Sequence, residues 1–252
     1  MRGLFAIQLV KFLGAFLAFV FYSAGQPSKA VTELITNGDF ESGSFSGWTK
    51  TDQIGSDGTF FIVPNSGGIA PSSGLPYQLN PTGGNWFSMT DSQGPGSHSL
   101  TQAFTITTGT IVNYSFQMFA NNWGEADFNN GRDFATPTLV QNAVVDIITG
   151  SDPLTTTDIV AVLFGPGSDL PGAPPNPWTT YTGTRFLLPG TYQIRFAETD
   201  NVFFFNQGVD NVSISIGAET PLPGALTLFV TGLGALGLLG CRRKKKAATL
   251  VA

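Results

Sequence analysis

Residues 111–120 read Ile-Val-Asn-Tyr-Ser-Phe-Gln-Met-Phe-Ala. In an extended chain Val112, Tyr114, Phe116 and Met118 fall on one side, and Asn113, Ser115 and Gln117 on the other. Side chains alternate across a strand with a period of two, so this stretch predicts a β-strand with one buried face. The rhythm recurs at 190–197, where Tyr192, Ile194 and Phe196 oppose Thr191, Gln193 and Arg195. It recurs again at 208–216, where Val212, Ile214 and Ile216 oppose Asn211, Ser213 and Ser215. Further strand candidates are 32–36, 58–63, 86–89, 99–106, 143–148, 159–164 and 180–188, separated by clusters of Gly, Pro, Asn and Asp. No stretch between 31 and 218 sustains a 3.6-residue apolar period beyond two turns. About ten short strands without helical crossovers predict an all-β, antiparallel sandwich.

Composition agrees. Charged residues are 12% of the 252, against about 25% in an average globular domain. Aromatics are another 12%, with 22 Phe, which argues against disorder. The sole cysteine, Cys241, excludes an intrachain disulfide, but about 190 residues between the two ends can build one core without cross-links. The net charge of −5 hides a partition. Arg2, Lys11 and Lys29 lie at the start and residues 242–246 form a basic run near the end. Between them Lys50, Arg132, Arg185 and Arg195 face all 17 acids, leaving −13 in the middle. A nucleic-acid partner is excluded for this middle region, because phosphate neutralisation needs clustered Lys and Arg.

The two ends predict targeting. Residues 1–30 read as a signal peptide: Arg2 and Lys11, an apolar run over 12–22, then small residues, with Ser28 and Ala30 at the −3 and −1 positions of a cleavage site. Residues 222–240 carry no charge and are followed by Cys241 and Arg-Arg-Lys-Lys-Lys, the pattern of a transmembrane helix with its basic end in the cytoplasm. Pro221 and Pro223 stand at its entrance, and residues 247–252 form a short tail. The order of Pro221-Leu222-Pro223, apolar span and basic run, over 219–246, resembles the PEP-CTERM sorting signal of Gram-negative bacteria. The resemblance departs at Leu222, where that family usually has Glu. It implies an exosortase-type processing enzyme as partner, a membrane-anchored precursor, and a mature protein at the cell surface or in extracellular polysaccharide. Gly232-Leu-Gly-Ala-Leu-Gly237 matches a dinucleotide-binding fingerprint, but it lies inside the apolar span rather than between a strand and a helix, and is rejected.

The middle region, 31–218, opens with Asn37-Gly-Asp-Phe-Glu41 and Gly47-Trp48, and closes with Gly208-Val-Asp-Asn-Val-Ser-Ile214. This pair of ends resembles the jelly-roll of galactose-binding-like domains and carbohydrate-binding modules. The resemblance implies that first and last strands pair, with a structural calcium ion near them. Asp210 has the parity of Val212 and Ile214 and is expected on the core side, where an unpartnered carboxylate is costly. Calcium suits such an acid, with Asp39 and Glu41 on the segment expected nearby. The alternative is that Asp210 accepts backbone N–H bonds in a turn while Asp39 and Glu41 face water.

Sugar binding needs aromatic faces together with amides and carboxylates. Asn121, Asn122, Trp123, Glu125 and Asp127 supply all three in one long loop, and Trp86 and Trp178 are further candidate platforms. The plainer reading is that these tryptophans pack on the sandwich, as expected of Trp48. Hydrolysis has little support. His98 is the only histidine, no Ser has a nucleophile-elbow context, and Glu125 with Glu198 is a carboxylate pair that no spacing selects. The sequence therefore predicts an exported, non-catalytic surface protein with a candidate polysaccharide-binding sandwich. The rivals are an extracellular glycoside hydrolase or esterase, and a structural matrix protein without a ligand.

Overall fold

The computed structural model describes residues 30–80, 83–122, 134–135, 140–165, 176–201 and 204–217. The expected signal peptide, the Pro221-Leu222-Pro223 motif, the 222–240 span and the basic tail lie outside them. Among the described residues no helix is long and apolar enough to cross a membrane. Thr32–Ile216 forms one compact unit.

That unit is a sandwich of two antiparallel sheets. Its strands are β1 (Thr32–Glu33), β2 (Thr49–Asp52), β3 (Thr59–Pro64), β4 (Trp86–Asp91), β5 (Gly96–Ile106), β6 (Thr110–Asn122), β7 (Gln141–Ile148), β8 (Ile159–Phe164), β9 (Thr179–Leu187), β10 (Gly190–Asp200) and β11 (Phe205–Ile216). One sheet runs β3-β4-β11-β6-β9, with β1 also paired to β11; the other runs β2-β5-β10-β7-β8. First and last strands pair, Thr32 opposite Ile216 and Glu33 opposite Ser215.

The period-two faces meet in the middle. Val112, Tyr114, Phe116 and Met118 from β6 pack against Ile194 and Phe196 from β10, with Phe116 and Phe196 edge to face at 5.5 Å. The ten expected strands are all present. The additional strand is β2, Thr-Lys-Thr-Asp, whose polar sequence carries no apolar alternation and which sits at a sheet edge. A second apolar cluster covers the outer face of the first sheet, where Phe87, Met89 and Phe119 meet Val63, Ala70 and Tyr77. The chain between β3 and β4 contributes Ala70 and Tyr77 to this packing. Asn65 holds it in place, its Nδ2 donating to the carbonyls of Asn80, Gly83 and Gly84.

One irregularity corrects a sequence reading. Between Asp210 and Ser213 the β11–β6 register shifts, and Asn211 takes φ +51°. A bulge adds a residue to one strand and reverses which parity faces inward. Phe205 and Val209 face the core before the bulge, and Val212 and Ile214 after it. Asp210 therefore points away from the inter-sheet core, to the outer face of the first sheet, not to the core side that its parity with Val212 suggested.

Candidate functional site

The Asn37–Glu41 segment docks on this bulge. Asn37 and Phe40 both take positive φ, +50° and +54°, so the chain turns sharply and the expected strand 32–36 stops at Glu33. Val212 N donates to Gly38 O at 2.8 Å, and the Asn37 carbonyl accepts from Trp48 Nε1 at 3.0 Å. Phe40 is buried against Phe45 and Trp48. The motif is first of all a corner that locks the start of the chain to its last strand.

The corner also gathers acids. Asp210 is buried; its Oδ2 accepts from Asn80 Nδ2 and its Oδ1 from Asn211 N, both at 2.7 Å. Asn80 Nδ2 is shared with Gln117 Oε1, also at 2.7 Å. Glu41 accepts from the backbone of Asn85 (2.7 Å) and Trp86 (3.0 Å) and from Asn85 Nδ2 (3.1 Å). Those backbone bonds hold its carboxyl below the usual range. Asp39 is exposed and accepts from Glu41 N at 3.3 Å. Burial, reinforced by the charges of Glu41 and Asp39 against the opposing bonds from Asn211 and Asn80, pushes Asp210 up to about 7.

The fit to calcium is a fit of charge. Three carboxylates lie close enough for Glu41 and Asp39 to disfavour ionised Asp210. Asp210 and Glu41 already accept protein hydrogen bonds, and among the described residues no three His, Cys, Asp or Glu side chains are arranged to hold a metal ion. Sequence reasoning missed Asn80 and Gln117. Nothing in the chain's rhythm ties residue 80 to residue 210.

The raised Asp210 has a direct consequence. In chelator, the folded state holds a proton between the unfolded value near 4 and the folded value of about 7, whereas the unfolded chain does not. Stability contributed by that proton is present below pH 4 and is lost as pH rises through 7. Urea midpoints measured from pH 4 to 8 should fall more steeply for the wild type than for Asp210→Asn. Equal slopes would remove Asp210 from the explanation.

The tryptophans separate. Trp178 is half-buried and packs edge-on against Phe87 and Phe119, at 5.1 and 4.9 Å, with Nε1 donating to Gln78 O; it is a packing residue. Trp86 is 37% exposed, its indole lying beside Gly43 and its backbone N held by Glu41. Asn121 is buried and accepts from Asn176 N at 3.0 Å, which places it in the scaffold. Asn122 ends β6, while Trp123, Glu125 and Asp127 lie outside the described residues. Of the two acids considered for hydrolysis, Glu198 is fully buried. His98 is buried too, with Nδ1 2.8 Å from Asp52 Oδ1 and Nε2 2.9 Å from Asp57 O.

No family model and no curated protein matches this chain. Solved structures resemble it. The K3 cleaved adhesin domain of Lys-gingipain from Porphyromonas gingivalis is 14% identical with a TM-score of 0.46, over 75% of this chain and 100% of that one. TmCBM61, solved with β-1,4-galactotriose, is 12% identical with a TM-score of 0.41, over 74% and 99%. The enzymatically active domain of bacteriophage CBA120 tailspike protein 4 is 14% identical with a TM-score of 0.43, over 73% of this chain; the match spans 21% of that longer chain.

Proposed function

We propose that this is an exported, non-catalytic surface protein, sorted through its C-terminal signal, whose sandwich binds polysaccharide at the Trp86 corner. The strand order supports a jelly-roll reading: β4 to β11 wind into two four-strand groups, 4-11-6-9 and 5-10-7-8. The observation that carries the binding reading is the partly exposed Trp86, whose indole lies beside Gly43 and whose backbone N, together with the neighbouring Asn85 amide, donates to the Glu41 carboxylate. An apolar ring face with adjacent amide and carboxylate groups suits a pyranose. A calcium ion near Asp210, Glu41 and Asp39 would balance their charge and stiffen that corner. The acidic middle region favours neutral glycans, or acidic ones bridged by calcium.

The hydrolase alternative loses support at Glu198, whose full burial keeps it from a substrate, and at His98, both of whose ring nitrogens are engaged. The sorting part rests on the Pro221-Leu222-Pro223 motif, the apolar span and the basic run, with an exosortase-type enzyme as partner and a membrane-anchored precursor.

Trp86→Ala should weaken retention on a panel of neutral polysaccharides about tenfold, equivalent to ~1.4 kcal/mol, with little change in melting temperature. Unchanged retention, or no retention by the wild type on any glycan with or without calcium, would favour a matrix protein without a ligand. Intact-mass measurement of surface-released protein should show that residues 242–246 are gone; a retained basic run would count against processing.

A further inference from the structure

A second group of acids lies inside the sandwich. β5, β7, β10 and β11 run beyond their apolar portions into polar residues that are nonetheless buried, among them His98, Gln141, Glu198, Asp200 and Gln207. β10 pairs without interruption from Gly190 to Asp200. Glu198 and Asp200 therefore share the inward side with Tyr192, Ile194 and Phe196. Across from them, Gln207 lies between core residues Phe205 and Val209 in the inward parity, and Ser88 is directly opposite Val209.

The hydrogen bonding there is unbalanced in one direction. Both Glu198 oxygens, Asp200 Oδ1, Gln207 Oε1 and Ser88 Oγ are buried without a hydrogen-bond partner. Four of those five atoms can only accept. Asp200 Oδ2 accepts from Ser92 Oγ at 2.9 Å, and Gln207 spends its Nε2 on Met118 Sδ. Thr90 lies near Glu198 without completing a bond; its Oγ1 accepts from Gln207 N. No described Lys or Arg answers the acids, although the charge of His98 favours ionised Asp200. Lys50 is bonded to Phe60 O, Arg185 to Thr184 O and Val162 O, and Arg195 to Asp146. His98, opposite Glu198 on β5, is engaged by Asp52 and Asp57, and nearby Asp91 adds negative charge.

We propose that Glu198 and Asp200 form an internal site for a calcium-like divalent cation, completed by Gln207 Oε1 and Ser88 Oγ. Buried acceptors without donors are expensive, and two adjacent carboxylates repel. A water molecule can donate only two hydrogen bonds and carries no charge. A hard divalent ion takes six to eight oxygens, carboxylate, carboxamide and hydroxyl alike, and neutralises both acids. The site has two carboxylates, which agrees with the absence of any three-acid metal cluster among the described residues. Without an ion, burial and then the charge of Asp200 push Glu198 well above the usual carboxylate range, so a shared proton is the competing occupant.

The test uses the full chain in detergent, refolded from denaturant with either calcium chloride or chelator. Equilibrium dialysis should show Glu198→Gln and Asp200→Asn each binding one calcium fewer than the wild type. Both variants should melt below the wild type in calcium, and level with it or above it in chelator, where the repulsion has been removed. Asp210→Asn serves as the background: if the corner site also binds, that variant loses a different ion, and Glu198→Gln on top of it loses one more. Unchanged stoichiometry in Glu198→Gln and Asp200→Asn would overturn the proposal. So would a melting temperature of Asp210→Asn that responds to pH but not to calcium, which would assign the pair to a shared proton.

Discussion

Arg195→Ala should destabilise the fold by about 3–5 kcal/mol, the range for removing one partner of a buried ion pair. Arg195 donates through Nε (2.8 Å) and Nη2 (2.7 Å) to the two oxygens of Asp146, its direct neighbour on β7, and both side chains are 0% exposed. Its Nη1 donates to the carbonyls of Pro153 and Thr155, at 2.9 and 2.7 Å, tying the β7–β8 connection over the outer face of the second sheet. Truncation leaves Asp146 charged in a buried place and frees two carbonyls. Arg195→Met combined with Asp146→Leu should recover much of the loss, because a well-packed apolar pair of similar size avoids the desolvation cost. Urea unfolding of the single and double variants reads both effects. A single-variant loss under about 1 kcal/mol would mean that the face is wetter than the structure places it.

Gly38→Ala is the second large effect, expected at about 3 kcal/mol, the upper end of overpacking costs. A Cβ at residue 38 would sit 1.9 Å from Val212 O and 2.9 Å from its carbonyl carbon. Both are backbone atoms on the bulged last strand, so no side-chain rotation relieves the clash. Separation would also break the Val212 N to Gly38 O bond and loosen the corner that carries Glu41 and Asp210. The check is a chemical-denaturation midpoint together with Trp48 fluorescence, since Trp48 Nε1 is held by the neighbouring Asn37 carbonyl. A midpoint within experimental error of the wild type would mean that the corner stands off the strand.

The candidate sites were legible to different degrees. Glu198 and Asp200 continue the inward parity of Tyr192, Ile194 and Phe196, so their direction could have been read by extending the strand past Ala197. Acids rarely extend a core face, and the apolar signal ends before they begin. Asp210 was misread for a different reason: parity carries a direction only along an unbroken strand, and the bulge beside Asn211 breaks it. The proximity of Asp39 and Glu41 to Asp210 came from the resemblance of the two ends, and the charges of both, which disfavour ionised Asp210, are in keeping with it. Trp86 and Trp178 look alike in the sequence. Only their surroundings, the Gly43 turn for one and Phe87 with Phe119 for the other, separate a partly exposed ring from a packing residue.

By itself the sequence determined ten of the eleven strands and the inward faces of β6, β10 and the end of β11, because alternation is local and a half-buried strand needs it. Ten strands without helical periodicity left little besides an antiparallel sandwich. It also carried the charge partition on which the export reading rests. Tertiary structure alone decided that parts of the outer faces are buried too. Arg195, expected on a solvated side opposite Ile194 and Phe196, is instead enclosed with Asp146 beneath a connection from elsewhere in the chain. Alternation marks an apolar face but cannot say whether the polar face meets water. That depends on which distant segment folds back over it, and on whether its donors and acceptors match those already there.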